Sequence, residues 1–185
     1  AQRRDPVKSS SEMVSTIVKY GDPVLREKGA KINEVTDEIR TLAEDMVETM
    51  HEAEGVGLAA QQVGQALQMA IVDFSEANRP TNYFRVDGED AEIEDHMPLI
   101  FLNPRIEGEG KRESDEEGCL SFPEISAEIR RPGGVKASLK MLDGKRIEVE
   151  ADGLLARAIQ HEVDHLNGIL FIDRMTSAKK ISLRK

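Results

Sequence analysis

The chain has 185 residues, 39% of them apolar, and a formal charge of −10 from 25 Lys and Arg against 35 Asp and Glu. That is the size of one domain, at roughly 100–200 residues each, and the composition of a folded chain rather than a disordered one. No apolar run approaches the ~20 residues of a membrane helix, the acidic balance speaks against specific DNA binding, and one cysteine, Cys119, excludes an intrachain disulfide.

Residues 1–12 (AQRRDPVKSSSE) are polar and aperiodic, and are expected to form a disordered N-terminal tail. The chain does not open on Met; Met13 begins a more regular stretch and is the expected region of a native start, the alternative being the stub of an organellar targeting segment. Gly21-Asp22-Pro23 marks a turn. Thr36 is a helix cap followed by Asp37 and Glu38, which suit the positive end of the helix dipole. Ile39, Leu42, Ala43, Met46, Val47, Met50 and Ala53 then recur on one helical face, and Gly55 stops it.

Strands are predicted at Leu67–Val72 and at Leu99–Leu102, before Pro104. The acidic stretch 75–98 between them reads as a surface excursion without a core, with His96 solvated. Val135, Ala137, Leu139 and Met141 alternate with polar residues, Asp143-Gly144 turns the chain, and Ile147 and Val149 resume the alternation, which is a hairpin pattern. A second helix starts at Asp152 as its cap, carries Leu154, Leu155, Ala158, Ile159, Val163 and Leu166 as an apolar stripe, and ends at Asn167-Gly168. Helix, strands, helix predicts an α+β fold with antiparallel sheet: one domain over 13–176 and a short C-terminal tail over 177–185.

The second helix contains His161-Glu162-Val163-Asp164-His165. At ~100° per residue the two imidazoles differ by ~40° around the axis, so both face one point, as two metal ligands on adjacent turns do. Glu162 lies near enough to reach a water beside that point. An open metal site needs a third protein ligand; residues 166–185 hold no His, Glu or Cys, and only Asp173 is available there. Upstream, Cys119 between Gly118 and Leu120 is the candidate, because a thiolate binds Fe²⁺ or Zn²⁺ well; the alternative is a buried apolar filler. Directly after the first helix, Gly55-Val56-Gly57-Leu58-Ala59-Ala60-Gln61-Gln62-Val63-Gly64 reads either as a tight loop on the sheet or as a cleft wall with Gln61 or Gln62 offering an amide donor.

GVGLAAQQVG, EGCLSFP and QHEVDHLNG, in this order, resemble the three signature motifs of peptide deformylases, and the similarity extends over residues 14–176. The resemblance implies antiparallel sheets packed around a central C-terminal helix carrying HExxH, and removal of the formyl group from the formyl-methionine of newly made polypeptides. It implies Cys119, His161 and His165 as metal ligands, Glu162 as general base and proton shuttle, and Gln62, rather than Gln61, with the backbone N–H of Leu120 as partners of the formyl oxygen. Val56, Gly57 and Gly118 would border the peptide as a pairing edge, and Glu117 with Arg131 would support the cysteine loop. It further implies one divalent ion, Fe²⁺ in the cell with Zn²⁺, Ni²⁺ or Co²⁺ in preparations, nascent formylated chains as substrate, ribosome association, a monomer, and a cytoplasm or an organelle of bacterial descent. Gln61 is an unusual neighbour for the first motif, the 75–98 excursion is longer than in minimal members, and no long C-terminal helix is expected after Met175.

Two other readings compete. An HExxH protease cutting internal peptide bonds is opposed by the missing downstream ligand and tested with an unformylated peptide. A silent metal-binding module that holds nascent chains is opposed by the presence of Glu162 and Gln62 and tested by formate release.

Overall fold

In the computed structural model, which describes residues 14–175 and 181–183, Thr36 accepts a hydrogen bond from the N–H of Ile39 at 3.3 Å and opens α1, Asp37–Glu52. Its apolar face buries Ala43, Met46 and Met50 against Leu58, Met69 and Ile71. The strands that supply those partners are β1, Gly57–Ala59, and β2, Met69–Val72. The glycine-rich segment is therefore a short strand followed by a 3-10 turn over Ala60–Val63, ended by Gly64 at φ 88°, where a side chain would be strained.

β5, Leu99–Cys119, and β6, Phe122–Lys140, form a single long antiparallel hairpin. The strand expected at Leu99–Leu102 thus runs on through Pro104 and the hydrophilic run Lys111–Glu117. It can do so because register irregularities fall between Leu102 and Arg105 and between Glu109 and Arg112; Pro104 sits inside the first, where its missing N–H removes no ladder bond. At the far end Cys119 faces Phe122 across the two-residue turn Leu120-Ser121. β7, Arg146–Asp152, pairs with β6 as the Asp143-Gly144 hairpin requires.

The 75–98 stretch is not a bare excursion. It contains β3, Phe84–Val86, paired with β7, and β4, Glu89–Asp90, paired with β3, and it buries Phe84 and Ile93 in the main core. His96 is half-buried, edge-on to Phe84 at 5.5 Å between ring centres, rather than solvated. The sheet order is β1-β2-β5-β6-β7-β3-β4, with every named pair antiparallel, and β8, Ile181–Leu183, pairs with β6 at Ile125–Ala127. Residues 1–12 and much of 177–185 lie outside the described residues.

α2, Gly153–Leu166, packs on β1, β2, β6 and β7 through Leu155, Ala156, Ile159, Val163 and Leu166. Asp152 stands at its N-cap position but its side chain does not cap it; the carboxylate instead accepts from Thr81 Oγ1, Asn82 N and Asn82 Nδ2. Gly168, at φ 76°, closes the C-terminal end. The fold is α+β: one antiparallel sheet with two α-helices among the described residues. Among the described residues, no helix is long and apolar enough to cross a membrane.

A buried polar clasp fixes the N-terminal segment to the first irregularity of β5. Asn103 Oδ1 accepts from Ile32 N at 2.8 Å and Asn103 Nδ2 donates to Ile32 O at 2.7 Å. Asn103→Ala leaves the buried Ile32 N–H without its partner and Ile32 O with only the long 3.5 Å contact to Lys140 Nζ, and a stability loss of about 1–3 kcal/mol is expected. The midpoint of urea unfolding measures it; a shift under ~1 kcal/mol would show that water replaces the clasp.

Candidate metal centre

Three pieces of chain converge on one point: the tip of the β5–β6 hairpin, the one-turn spacing within α2, and the turn after β1. Cys119 Sγ and one ring nitrogen each of His161 and His165 lie within 4.8 Å of one another, and all three residues are buried. Cys119 Sγ is 3.4 Å from His165 Nε2, about the separation of two ligands sharing an ion with bonds of ~2.0–2.3 Å. The Nδ1 of His161 is held by Glu117 Oε1 at 3.0 Å, which directs its Nε2 to the centre. That is the support a carboxylate gives a metal-binding imidazole. His165 Nδ1 is buried and has no hydrogen-bond partner among the described residues.

The electrostatics agree with a cation at this point. Burial raises the Glu117 carboxyl, but the bonds from His161 and Arg131 override it and hold it well below the usual carboxylate range. Burial lowers His161, yet its contacts with Cys119 and Glu117 draw it well above an ordinary imidazole. Burial, with His161 beside it, drives His165 well below the ordinary value and keeps it neutral, the form that ligates. One soft sulphur and two imidazoles form a set suited to Zn²⁺ or Fe²⁺, so the residues present fit a divalent ion.

Glu162 is 4% exposed, and its Oε1 has no partner among the described residues. Burial pushes its carboxyl up to about 7. A Cβ on Gly57 would collide with Glu162 Oε2 and stand 3.1 Å from Cδ, so only glycine leaves that carboxylate in place. Gly57→Ala is expected to lower turnover about 10²-fold by displacing Glu162, with bound metal unchanged. Steady-state rates alongside metal content check this, and a parental rate refutes it.

Gln62 points to the centre and Gln61 does not. Gln62 Nε2 donates to Ser121 Oγ at 3.2 Å and lies 3.6 Å from Cys119 Sγ, whereas Gln61 Nε2 donates to Glu27 O at 3.1 Å. Asp173, the downstream alternative ligand, is bound by Arg26 instead. A cleft of about 320 Å³ opens over the centre, lined by Val56, Gly57, Gly118, Cys119 and Leu120 and by Leu154 and Ala158 of α2. Val56 and Leu154 stand at 47% and 44% exposure, an apolar rim on an acidic protein.

Sequence reading missed how far the charge network extends. Beneath the ligands, Glu117 takes Arg131 at 2.6 Å and Arg157 at 2.8 Å, and Arg131 continues to Asp164 at 2.8 Å. Arg157 and Asp164 stand four residues before and three after His161, on the same helical face. Charged residues within an apolar stripe were the available signal.

The polypeptide deformylase family model matches residues 14–181. A peptide deformylase of Methylacidiphilum infernorum is 41% identical over 173 residues, covering 94% of this chain and 90% of that one. One of Opitutus terrae is 44% identical over 171 residues, covering 90% and 88%. The crystal structure of the Thermotoga maritima peptide deformylase superposes with a TM-score of 0.75 at 36% identity, over 89% of this chain and 99% of that one. The Synechococcus elongatus peptide deformylase, in complex with actinonin, gives 0.77 at 35%, over 97% and 88%. Motifs, fold and a buried Cys/His/His cluster beneath a cleft converge with these matches: the chain belongs to the polypeptide deformylase family, metal-dependent hydrolases that remove the N-formyl group from nascent polypeptides.

Proposed function

We propose that Cys119, His161 and His165 hold a single divalent ion, that Glu162 is the general base, and that the Gln62 side chain and the Leu120 N–H receive the formyl oxygen. The observation that carries this is the convergence of three buried donor atoms within 4.8 Å under a cleft that also receives Glu162 and Gln62. The ion supplies Lewis acidity at that point. Glu162 takes the proton of the attacking water and returns it to the leaving amine as the C–N bond breaks, giving formate and a free N-terminus. As negative charge grows on the formyl oxygen, the Gln62 and Leu120 donors stabilise it; one such donor is worth about 10²–10³ in rate.

β1 lies at the end of the sheet order, and the backbone of Val56 and Gly57 on one side and Gly118 on the other border the cleft. An extended peptide adds there as a strand, its first side chain against Leu154 and Ala158. α2, carrying His161, Glu162 and His165, serves as the central element of one catalytic domain over 13–176, with 1–12 and 177–185 as its tails.

The working ion is Fe²⁺, with Zn²⁺, Ni²⁺ or Co²⁺ in preparations, since affinity order does not report native loading. The enzyme acts as a cytoplasmic monomer, or in an organelle of bacterial descent, on chains still at the ribosome. Anaerobic purification with elemental analysis and a formate assay on formyl-Met-Ala-Ser test the reading; no formate release refutes it. Cys119→Ser exchanges a thiolate for a neutral hydroxyl, and the metal remaining after dialysis is expected to fall at least ~10-fold. Parental retention would identify another third ligand.

A further inference from the structure

The Gln62 carboxamide is aimed by contacts that the proposed reaction does not itself use. Gln62 and Ser121 are each 1% exposed, so every polar atom between them needs a partner. At one end the N–H of Ala59 reaches Gln62 Oε1 at 3.0 Å. At the other, Gln62 Nε2 meets Ser121 Oγ at 3.2 Å, and Ser121 Oγ meets the carbonyl of Val18 at 2.6 Å. Both ends terminate on backbone groups of fixed sense. A carbonyl only accepts, so the Ser121 hydroxyl donates to Val18 and turns its lone pairs to Gln62. An N–H only donates, so the oxygen of the amide lies at Ala59. The two constraints agree on one orientation and leave the second Nε2 hydrogen on the side of Cys119 Sγ, 3.6 Å away, where the cleft opens.

The strand-like segment that carries Val18 is tied to both partners. Val18 N donates to Gln62 O at 2.8 Å, and Tyr20 N donates to Ser121 O at 2.9 Å. The Tyr20 ring stacks on Phe122 at 4.6 Å. The segment thus crosses the cysteine turn and the glutamine turn and locks one to the other.

We propose that Ser121, braced by the Val18 carbonyl, is the positioning residue that aims the Gln62 amide at the formyl oxygen. This rests on the assignment of Gln62 as an oxyanion donor. The terminal torsion of a glutamine is soft, so the Ala59 contact alone leaves the amide free to swing, and the hydroxyl removes that freedom before substrate arrives. The effect belongs to the transition state, where the donor bond strengthens, and is expected in kcat rather than KM.

The test is a double-mutant cycle read as turnover per bound metal, below the unfolding transition. Ser121→Ala is expected to lose about 10- to 100-fold in kcat, with KM within threefold and metal content at the parental level. Ser121→Thr, which keeps the hydroxyl, is expected to stay within threefold of the parent. In a Gln62→Ala background, Ser121→Ala is expected to cost nothing more. Should Ser121→Ala not fold, Ser121→Cys, with its weak acceptor, carries the same comparison. A parental rate for Ser121→Ala, or the same loss in both backgrounds, overturns the proposal and leaves Ser121 a packing residue. A parental rate for Gln62→Ala alone overturns the Gln62 assignment and the proposal with it, and is read separately from the serine variants.

Discussion

Glu162→Ala is expected to lower turnover about 10²–10⁴-fold, the range typical of removing a general base, while the protein keeps its metal. The two halves of that outcome follow from different atoms. Metal retention follows from Cys119, His161 and His165, whose donor atoms cluster without any contribution from Glu162. Loss of turnover follows because Glu162 is the buried carboxylate at the cleft with an oxygen that has no partner among the described residues. A thiolate in the donor set would offset part of a bound ion's charge, so that water there would be acidified less than by three neutral ligands, which would increase the demand on a carboxylate base. Bound metal and formate release, measured on the same preparation, decide it. Turnover within threefold of the parent would falsify the role; loss of metal together with turnover would make Glu162 part of the metal site.

Glu162→Gln and Gly57→Ala separate chemistry from position. The amide keeps the shape of the side chain but cannot take a proton, so its rate is expected to match that of Glu162→Ala. Gly57→Ala keeps the carboxylate and moves it, so a partial loss is expected. A Gln variant more active than Gly57→Ala would mean that Glu162 acts through its hydrogen bonding rather than as a base.

Both helices were legible in the sequence because each buries one face, and a single buried face imposes a 3.6-residue period. Thr36 and the Asn167-Gly168 pair marked their ends for the same local reasons that the structure shows. The long hairpin was not legible. From Gly108 to Glu116 the side chains of β5 are largely exposed, so no alternation marks the strand; its pairing with β6 comes from backbone groups. Phe84 and Ile93 were hidden for the opposite reason: single apolar residues among many acids have no period, and their burial depends on β7 and the main core.

The site divides in the same way. His161 and His165 share a face by helix geometry, so their pairing was readable from spacing. Cys119 was reached by elimination and by family resemblance, since its approach to His165 depends on a hairpin turn 46 residues away in sequence. Asp152 shows where a local rule failed. Its side chain had a cap to make and took Thr81 and Asn82 instead, because those groups offer three donors in a half-buried site. Ser121 could not be singled out from spacing, because its partners Val18 and Gln62 come from two distant segments.

Arg131→Met is expected to destabilise the protein by about 3–5 kcal/mol, the cost of removing one partner from a buried charge network. Arg131 is 3% exposed and sits between two carboxylates, donating to Glu117 at 2.6 and 3.0 Å and to Asp164 at 2.8 Å. Methionine fills most of the volume, so the loss reports the stranded charges more than a cavity. Glu117 keeps Arg157 and His161, and Asp164 keeps Arg174, which places the loss inside the range rather than above it. Arg174 provides the control: its side chain is 40% exposed, and Arg174→Met removes a solvent-screened contact expected to cost under ~1 kcal/mol. Urea unfolding midpoints at unchanged slope give both values. Equal small losses would mean that water or a rearranged Arg157 compensates inside the network. A large loss at Arg131 alone makes it the tie between β6 and α2, and so between the strand opposite the cysteine turn and the helix that carries both histidines.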